Sequence, residues 1–201
     1  DPYDVNFLQM SEDPIPTFHS LEQNFSTGYL TVPVVGAGTA NTEFEVLTGM
    51  NMQYFGTGEY PYKTVLKSAD CPSVESIASD LSSIGYGTHV VHNNTATFYS
   101  RNNAFSKMGF DTFTSKELMN ITEYTPSGSW PTDKILVNET VKAMNATEGQ
   151  SDFVYTITVG SHGDYPTEKI IEDPEIQVTG DATEESNNQW EYYVNMNNNT
   201  D

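Results

Sequence analysis

The sequence predicts an α/β fold with a mainly parallel sheet flanked by helices, and three observations carry the prediction. Runs rich in β-branched and aromatic residues, clearest in "DFVYTITV" (152–159), alternate with segments of helical period. The helical segments are long enough to cross back over a sheet between parallel strands. Finally, 36% hydrophobic and 12% aromatic residues in a chain of 201 supply one sizeable core.

Residues 1–27 read as an entry loop with two Pro-x pairs and a short helical stretch, "TFHSLEQNF". "GYLTVPVV" (28–35) reads as a strand and "ANTEFEVLTGM" (40–50) as a helix. "PSVESIASDLSSIG" (72–85) predicts an amphipathic helix that starts at its proline and stops at Gly85. "THVVH" (88–92) is a strand, followed by the Asn-rich loop "NNTATFYSRNN" and a short helix ending at "MGFDTF". "TDKILVNETVKAMNA" (132–146) opens on a good cap and is helical by period, before the strand at 152–159. The last third is polar and acidic, with one amphipathic stretch around "NQWEYYVNM" that is either a helix packed on the sheet or a frayed end. Residues 28–170 are thus expected to form the α/β core and 171–201 an acidic C-terminal segment. A chain that opens in a loop and stops in Asn/Thr-rich sequence is expected to be a fragment.

Twenty-eight acidic against eight basic residues give a net charge of -20, which repels duplex nucleic acid and excludes it as a partner. The single cysteine, Cys71, can form neither an internal disulfide nor a zinc knuckle. Asn-x-Ser/Thr triplets at Asn24, Asn93, Asn120, Asn138, Asn145 and Asn198 carry little weight in so Asn/Thr-rich a chain. No apolar run approaches the ~18 residues that span a bilayer and no signal peptide opens the chain, so a soluble piece is expected.

In open parallel sheets, ligands gather outside the carboxyl ends of the strands. That rule selects Thr39 after the 28–35 strand, His92 at the end of the 88–92 strand, and His162 in "TVGSHGDYP". Thr39 stands at a helix N-terminus, where unsatisfied N–H groups favour an anion; its hydroxyl is either a cap or a nucleophile. Gly36 and Gly38 before it allow close approach of a ligand to the backbone. Arg101, the only arginine, suits bidentate contact with phosphate, sulfate or carboxylate, with surface solvation as the alternative. Tyr99, on the same side of an extended loop, offers a face or a hydroxyl, or simply packs. His19 and His89 read as structural, Glu43 and Glu45 as first-turn partners of the helix dipole, and Trp130 with "PTD" as a loop anchor before a helix cap. Metal-ligand spacings such as His-x-x-x-His are absent.

Taken together and in order, "GAGTANTEFEVLTGM", "GYGTHVVHNNTATFYSRNNAFSKMGFDTF" and "TVGSHGDYP" resemble the extracellular domain of the lipoteichoic acid synthase and phosphoglycerol transferase family, within the sulfatase and alkaline phosphatase superfamily. The resemblance spans roughly residues 14–170. It implies a single partial catalytic domain over 1–201, alkaline-phosphatase/sulfatase-like and incomplete at both ends. It also implies that Thr39 is the catalytic threonine, which takes up glycerol phosphate covalently and ligates the metal. His92, Asn94, Tyr99, Arg101 and His162 fall on the family's substrate-binding positions. Asn94 stands where an aspartate is expected and Tyr99 where lipoteichoic acid synthases have tryptophan, changes that bear on acceptor and head-group preference.

The cofactor so implied is Mn2+ or Mg2+, through Thr39 and ligands outside this chain, since neither the family's first-strand glutamate motif nor an Asp-His dipeptide is present. The isolated fragment is accordingly expected to bind metal poorly and turn over little. The implied partners are a phosphatidylglycerol-type lipid donor and a glycerol-phosphate or glycan acceptor. The implied location is extracellular, anchored beside the membrane by segments outside this sequence. Two other readings stand beside this one: a sulfatase or phosphodiesterase of the same superfamily, although no Cys/Ser-x-Pro-x-Arg motif occurs, and a degenerate module that only holds glycans or head groups.

Overall fold

The computed structural model describes residues 6–34 and 38–201. The fold is α/β, with a parallel sheet and helices as the alternation predicts, and the chain divides into two compact units. One comprises residues 29–120 and 136–157, the other residues 1–28, 121–135 and 158–201.

The first unit is built on a three-stranded parallel sheet, β2 (Gly87–His92) between β3 (Thr112–Ser115) and β4 (Asp152–Ile157). In register, His92 of β2 stands opposite Ser115 on one side and Ile157 on the other. All six residues of β2 are buried, as befits the centre of a parallel sheet covered on both faces. Helices α2 (Thr39–Thr48), α3 (Ile77–Ser83) and α4 (Arg101–Lys107) belong to this unit, as do residues 136–143 of α5 (Lys134–Ala143). Phe44, Leu47, Tyr62, Leu66, Val90 and Phe105 dominate its core. Phe105 meets Phe110, Phe113 and Tyr62 edge-on at centroid distances of 5.6, 5.1 and 5.8 Å, the favourable aromatic geometry.

Three expectations are corrected here. Residues 28–34 form no strand: Tyr29 is 93% and Leu30 86% exposed, and an apolar run without a pairing neighbour gains nothing from extended structure. Val35, the last residue of that expected strand, lies outside the described residues. The helix expected from Pro72 begins only at Ile77, because Ser76 caps it, accepting from Ala78 and Ser79 N–H while Ser79 Oγ accepts from Ser76 N–H. The helix expected to end at "MGFDTF" stops at Lys107, since Gly109 turns with φ +85°, and Thr112–Ser115 becomes an edge strand.

His89 is structural, as expected, and ties the sheet together at the opposite end from His92. Its Nδ1 bonds Thr112 Oγ1 at 2.8 Å in β3 and its Nε2 bonds Asp152 Oδ1 at 2.9 Å in β4. Gly87 has no room for a side chain, because a Cβ there would strike Thr147 Oγ1 and lie 2.5 Å from Asp152 Oδ1. The Thr147 hydroxyl, and then His89, hold the Asp152 carboxyl below its ordinary 3.8. A carboxyl depressed in the folded state stabilises the fold above its unfolded value and loses that stabilisation as pH falls through the folded value. Asp152→Asn is accordingly expected to flatten the acid limb of the Tm-against-pH profile below 3.8. An unaltered limb would contradict the coupling.

The second unit pairs β1 (Gln9–Met10) antiparallel with β5 (Val178–Thr179) beside α1 (Pro16–Glu22) and α6 (Glu184–Asn198). The "NQWEYYVNM" stretch lies within α6, a 15-residue helix capped by Thr183, with Glu184 and Glu185 in its first turn. Ile176, Val178 and Val194 form the core of the unit, with Leu8, Met10, Trp190 and Tyr193 against it. Asp133 stands just before α5, and its carboxylate also accepts from Val159 and Gly160 N–H and from the Thr200 hydroxyl, joining three segments of the unit.

Candidate active site

Thr39 is the first residue of α2, and its side chain is exposed. Gly38, not Thr39, is the N-cap, with φ 95° and ψ 34° and no side-chain capping bond. The capping alternative for the Thr39 hydroxyl therefore fails, and that hydroxyl makes no hydrogen bond to any described residue. Gly36 lies outside the described residues. At Gly38 the group that approaches the backbone is the Tyr60 hydroxyl: a Cβ there would sit 3.1 Å from it, and the positive φ is one that glycine adopts without strain.

Glu43 is one helical turn beyond Thr39, on the same face of α2. It is buried, and it is not a first-turn partner of the dipole as expected. Its carboxylate faces Arg101, accepting from Nε at 3.1 Å and from Nη2 at 2.5 Å. Arg101 is itself only 2% exposed, so the expected alternative of surface solvation is corrected. The bidentate pair anchors the start of α4 to α2 at Glu43, one turn along the helix from Thr39. Nη1 is the guanidinium nitrogen that Glu43 leaves unengaged. The charge of the pair also reaches its neighbours. Burial, with Glu43 adding to it, pushes the Tyr155 phenol up to about 12 and raises that of Tyr62 well above its usual value.

Between His92 and Arg101 the chain is not the extended loop expected. Phe98–Ser100 form a tight helical turn in which Tyr99 (φ 55°) and Ser100 (φ 62°) are both left-handed. Non-glycine residues seldom adopt that conformation, and the two in succession throw Tyr99 onto Tyr60, where the rings stack at 5.3 Å and 29°. The Arg101 guanidinium lies 5.2 Å from the Tyr99 ring centroid. Burial, and next Tyr60, raise the Tyr99 phenol, while Arg101 and the Gly38 backbone act in the opposite direction.

His92 closes β2 and is buried, with Nδ1 bonded to the Ile157 carbonyl at 2.9 Å; the carbonyl can only accept, which places the proton on Nδ1. Asn94, two residues on and also buried, accepts from Thr95 N–H through its side chain, and its own carbonyl accepts from Lys116 N–H. His162 belongs to the other unit, where Nδ1 bonds the Gly163 carbonyl at 2.6 Å and the ring lies 5.0 Å from Trp130. Trp130 anchors that loop as expected, its Nε1 donating to the Gly163 carbonyl. The contacts thus join Tyr99 and Arg101 to the start of α2, and they add Glu43, Tyr60 and Lys63, whose roles the sequence reading did not find. The i+4 spacing of Glu43 from Thr39 was the available signal for the first. Tyr60 and Lys63 carried none.

The fit of a divalent ion follows from the donors present. Thr39 offers one oxygen, and among the described residues no group of three or more His, Cys, Asp or Glu is placed to hold a metal. These residues alone do not make the metal site that the resemblance implies.

Comparison with known proteins agrees with the fold. Phosphoglycerol transferase GacH from Streptococcus pyogenes, solved with sn-glycerol-1-phosphate, superposes on all of this chain and 51% of its own, with a TM-score of 0.80 and 24% identity. The lipoteichoic acid synthase LtaP from Listeria monocytogenes covers 84% of this chain and 40% of its own, with a TM-score of 0.60 and 20% identity. In sequence, the chain is 28% identical over 184 residues to the "Putative cyclic beta-1,2-glucan modification protein" of Rhizobium meliloti (strain 1021), covering 92% of this chain. The chain spans about half the length of GacH and 27% of that relative. The sulfatase family model matches residues 3–201, and the chain therefore belongs to the sulfatase family.

Proposed function

We propose that this chain serves phosphoglycerol transfer, with Thr39 as the nucleophile. The observation that carries the reading is the Thr39 hydroxyl, exposed at the first position of α2, not used as a cap, and one turn from the buried Arg101–Glu43 pair. In the first displacement, Thr39 Oγ bonds to phosphorus as the bond from phosphorus to the diacylglycerol oxygen breaks, and the threonine proton passes in net terms to that oxygen. In the second, an acceptor hydroxyl attacks the phosphothreonine, the Oγ–P bond breaks, and the acceptor proton returns to Thr39. Arg101 through Nη1, His92, Asn94 and Tyr99, all of the unit that carries Thr39, orient the glycerol phosphate by charge-assisted and neutral hydrogen bonds.

The proposed donor is a phosphatidylglycerol-type lipid at the extracellular membrane surface. The acceptor is glycerol phosphate or a glycan, and the relative named for glucan modification supports the glycan. No helix among the described residues is long and apolar enough to cross a membrane. The ion proposed for the full-length protein is Mn2+ or Mg2+, which Thr39 and ligands outside this chain would hold and which would supply Lewis-acid polarisation of the phosphoryl group.

The test is diacylglycerol release from phosphatidylglycerol by the full-length protein, with and without glycan acceptor. Release that accelerates with acceptor and leaves phosphoglycerol on it supports transfer. Release of free glycerol phosphate at an acceptor-independent rate would mean a hydrolase, and no release at all would remove the reading.

A further inference from the structure

The Arg101 guanidinium meets a carboxylate, so the charge of that pair is offset before any ligand arrives. A phosphate at Thr39 needs a second cation, and the chain holds one in place. Lys63 is exposed, in the turn that follows Tyr60, and its N–H donates to the Tyr60 carbonyl at 2.8 Å. Its ammonium lies 4.9 Å from the Tyr60 ring centroid and 4.7 Å from that of Tyr99. A lysine seated on two aromatic rings is held by cation–π attraction and loses much of the freedom of an ordinary surface lysine.

Two further facts point outward from this stack. Lys63 has no carboxylate partner among the described residues, in a chain of net charge -20 where acidic groups are plentiful. The stack also abuts Gly38, the residue before Thr39: the Tyr60 hydroxyl reaches it from one ring, and the Gly38 backbone acts on the Tyr99 phenol. The left-handed pair Tyr99–Ser100, a conformation that non-glycine residues seldom adopt, holds one of the two rings under the ammonium. Backbone strain of this kind persists where the surrounding contacts fix it.

We propose that Lys63 is an anion contact of the Thr39 site, positioned by Tyr60 and Tyr99 to take a phosphate oxygen of the phosphoglycerol head. The inference rests on the phosphoglycerol reading and adds to it a substrate-binding residue and a source of positive charge. The phosphate comes either from a lipid head group or from soluble glycerol phosphate, and both are anions of the same chemistry.

The experiment measures binding by the full-length protein of two probes: sn-glycerol-1-phosphate by calorimetry, and phosphatidylglycerol vesicles against phosphatidylcholine vesicles by sedimentation. Lys63→Ala is expected to weaken binding about tenfold, the scale of one charge-assisted hydrogen bond. Lys63→Arg, which keeps the charge, is expected to restore most of it. In turnover, Lys63→Ala should raise KM with little change in kcat, the signature of a lost substrate-binding contact. A loss confined to the soluble probe assigns Lys63 to glycerol phosphate; a loss confined to vesicles assigns it to the lipid head group. Wild-type affinity of Lys63→Ala for both probes overturns the Lys63 assignment alone. Failure of the wild-type protein to bind either probe overturns the phosphoglycerol reading together with it.

Discussion

Thr39→Ala in the full-length protein is expected to lower transfer on the order of 10^4-fold or more, as removal of a covalent nucleophile does. Because the Thr39 side chain is exposed and unbonded to described residues, the same substitution should leave stability within about 0.5 kcal/mol of wild type. The two results must be read together. Lost turnover with an unchanged Tm and retained glycerol-phosphate binding isolates the oxygen as the reacting group, whereas lost turnover with a lowered Tm would show only a damaged fold. Thr39→Ser keeps an oxygen at the same place and should retain a measurable part of the rate. Retention of more than about a tenth of the activity by Thr39→Ala would remove the nucleophile assignment.

Glu43→Ala is expected to destabilise the protein by about 3–5 kcal/mol, because it leaves the Arg101 charge buried without its counterion. Typical domains hold only ~5–15 kcal/mol in all, so the loss should be plain in a denaturant titration. The reasoning concerns an uncompensated buried charge, not a strong bond, and that yields a second result. Glu43→Leu combined with Arg101→Met removes both charges and should be more stable than either single variant, a large positive coupling in a double-mutant cycle. A loss under about 1 kcal/mol for Glu43→Ala is the value for an exposed pair and would contradict the buried arrangement.

Much of the sheet and the helices could be read in the chain itself, because their evidence is local. The β-branched run at 88–92, the alternation at 152–157 and the helical period after Thr39 and before Ala143 each state their own conformation. Residues 28–34 show the limit of that signal, since "GYLTVPV" has strand composition but no partner strand, and pairing is not a local property. The edge strand at Thr112–Ser115 escaped for the converse reason. It is four residues long, follows directly on a helix stop at Gly109, and owes its place to its pairing with β2.

At the candidate site, motif order singled out Thr39, His92 and Arg101. Their environment was not legible in it. Glu43 finds Arg101 across 58 residues of sequence, and Tyr60 and Lys63 join through a ring stack that depends on two left-handed residues at 99 and 100. A local reading sees a first-turn glutamate and a surface lysine. Only the approach of α4 to α2 turns the first into a counterion, and only the stack of Tyr60 on Tyr99 gives the second its seat.

The central claim is that the Thr39 oxygen accepts a phosphorus-bearing group. It is tested most directly by incubating the full-length protein with phosphatidylglycerol in the absence of acceptor, quenching in acid, and mapping the peptides by mass spectrometry. The account predicts a single phosphoglycerol adduct on Thr39, which disappears when acceptor is added and never forms in Thr39→Ala. Diacylglycerol release with no adduct at Thr39, or with the adduct on another residue, would contradict it.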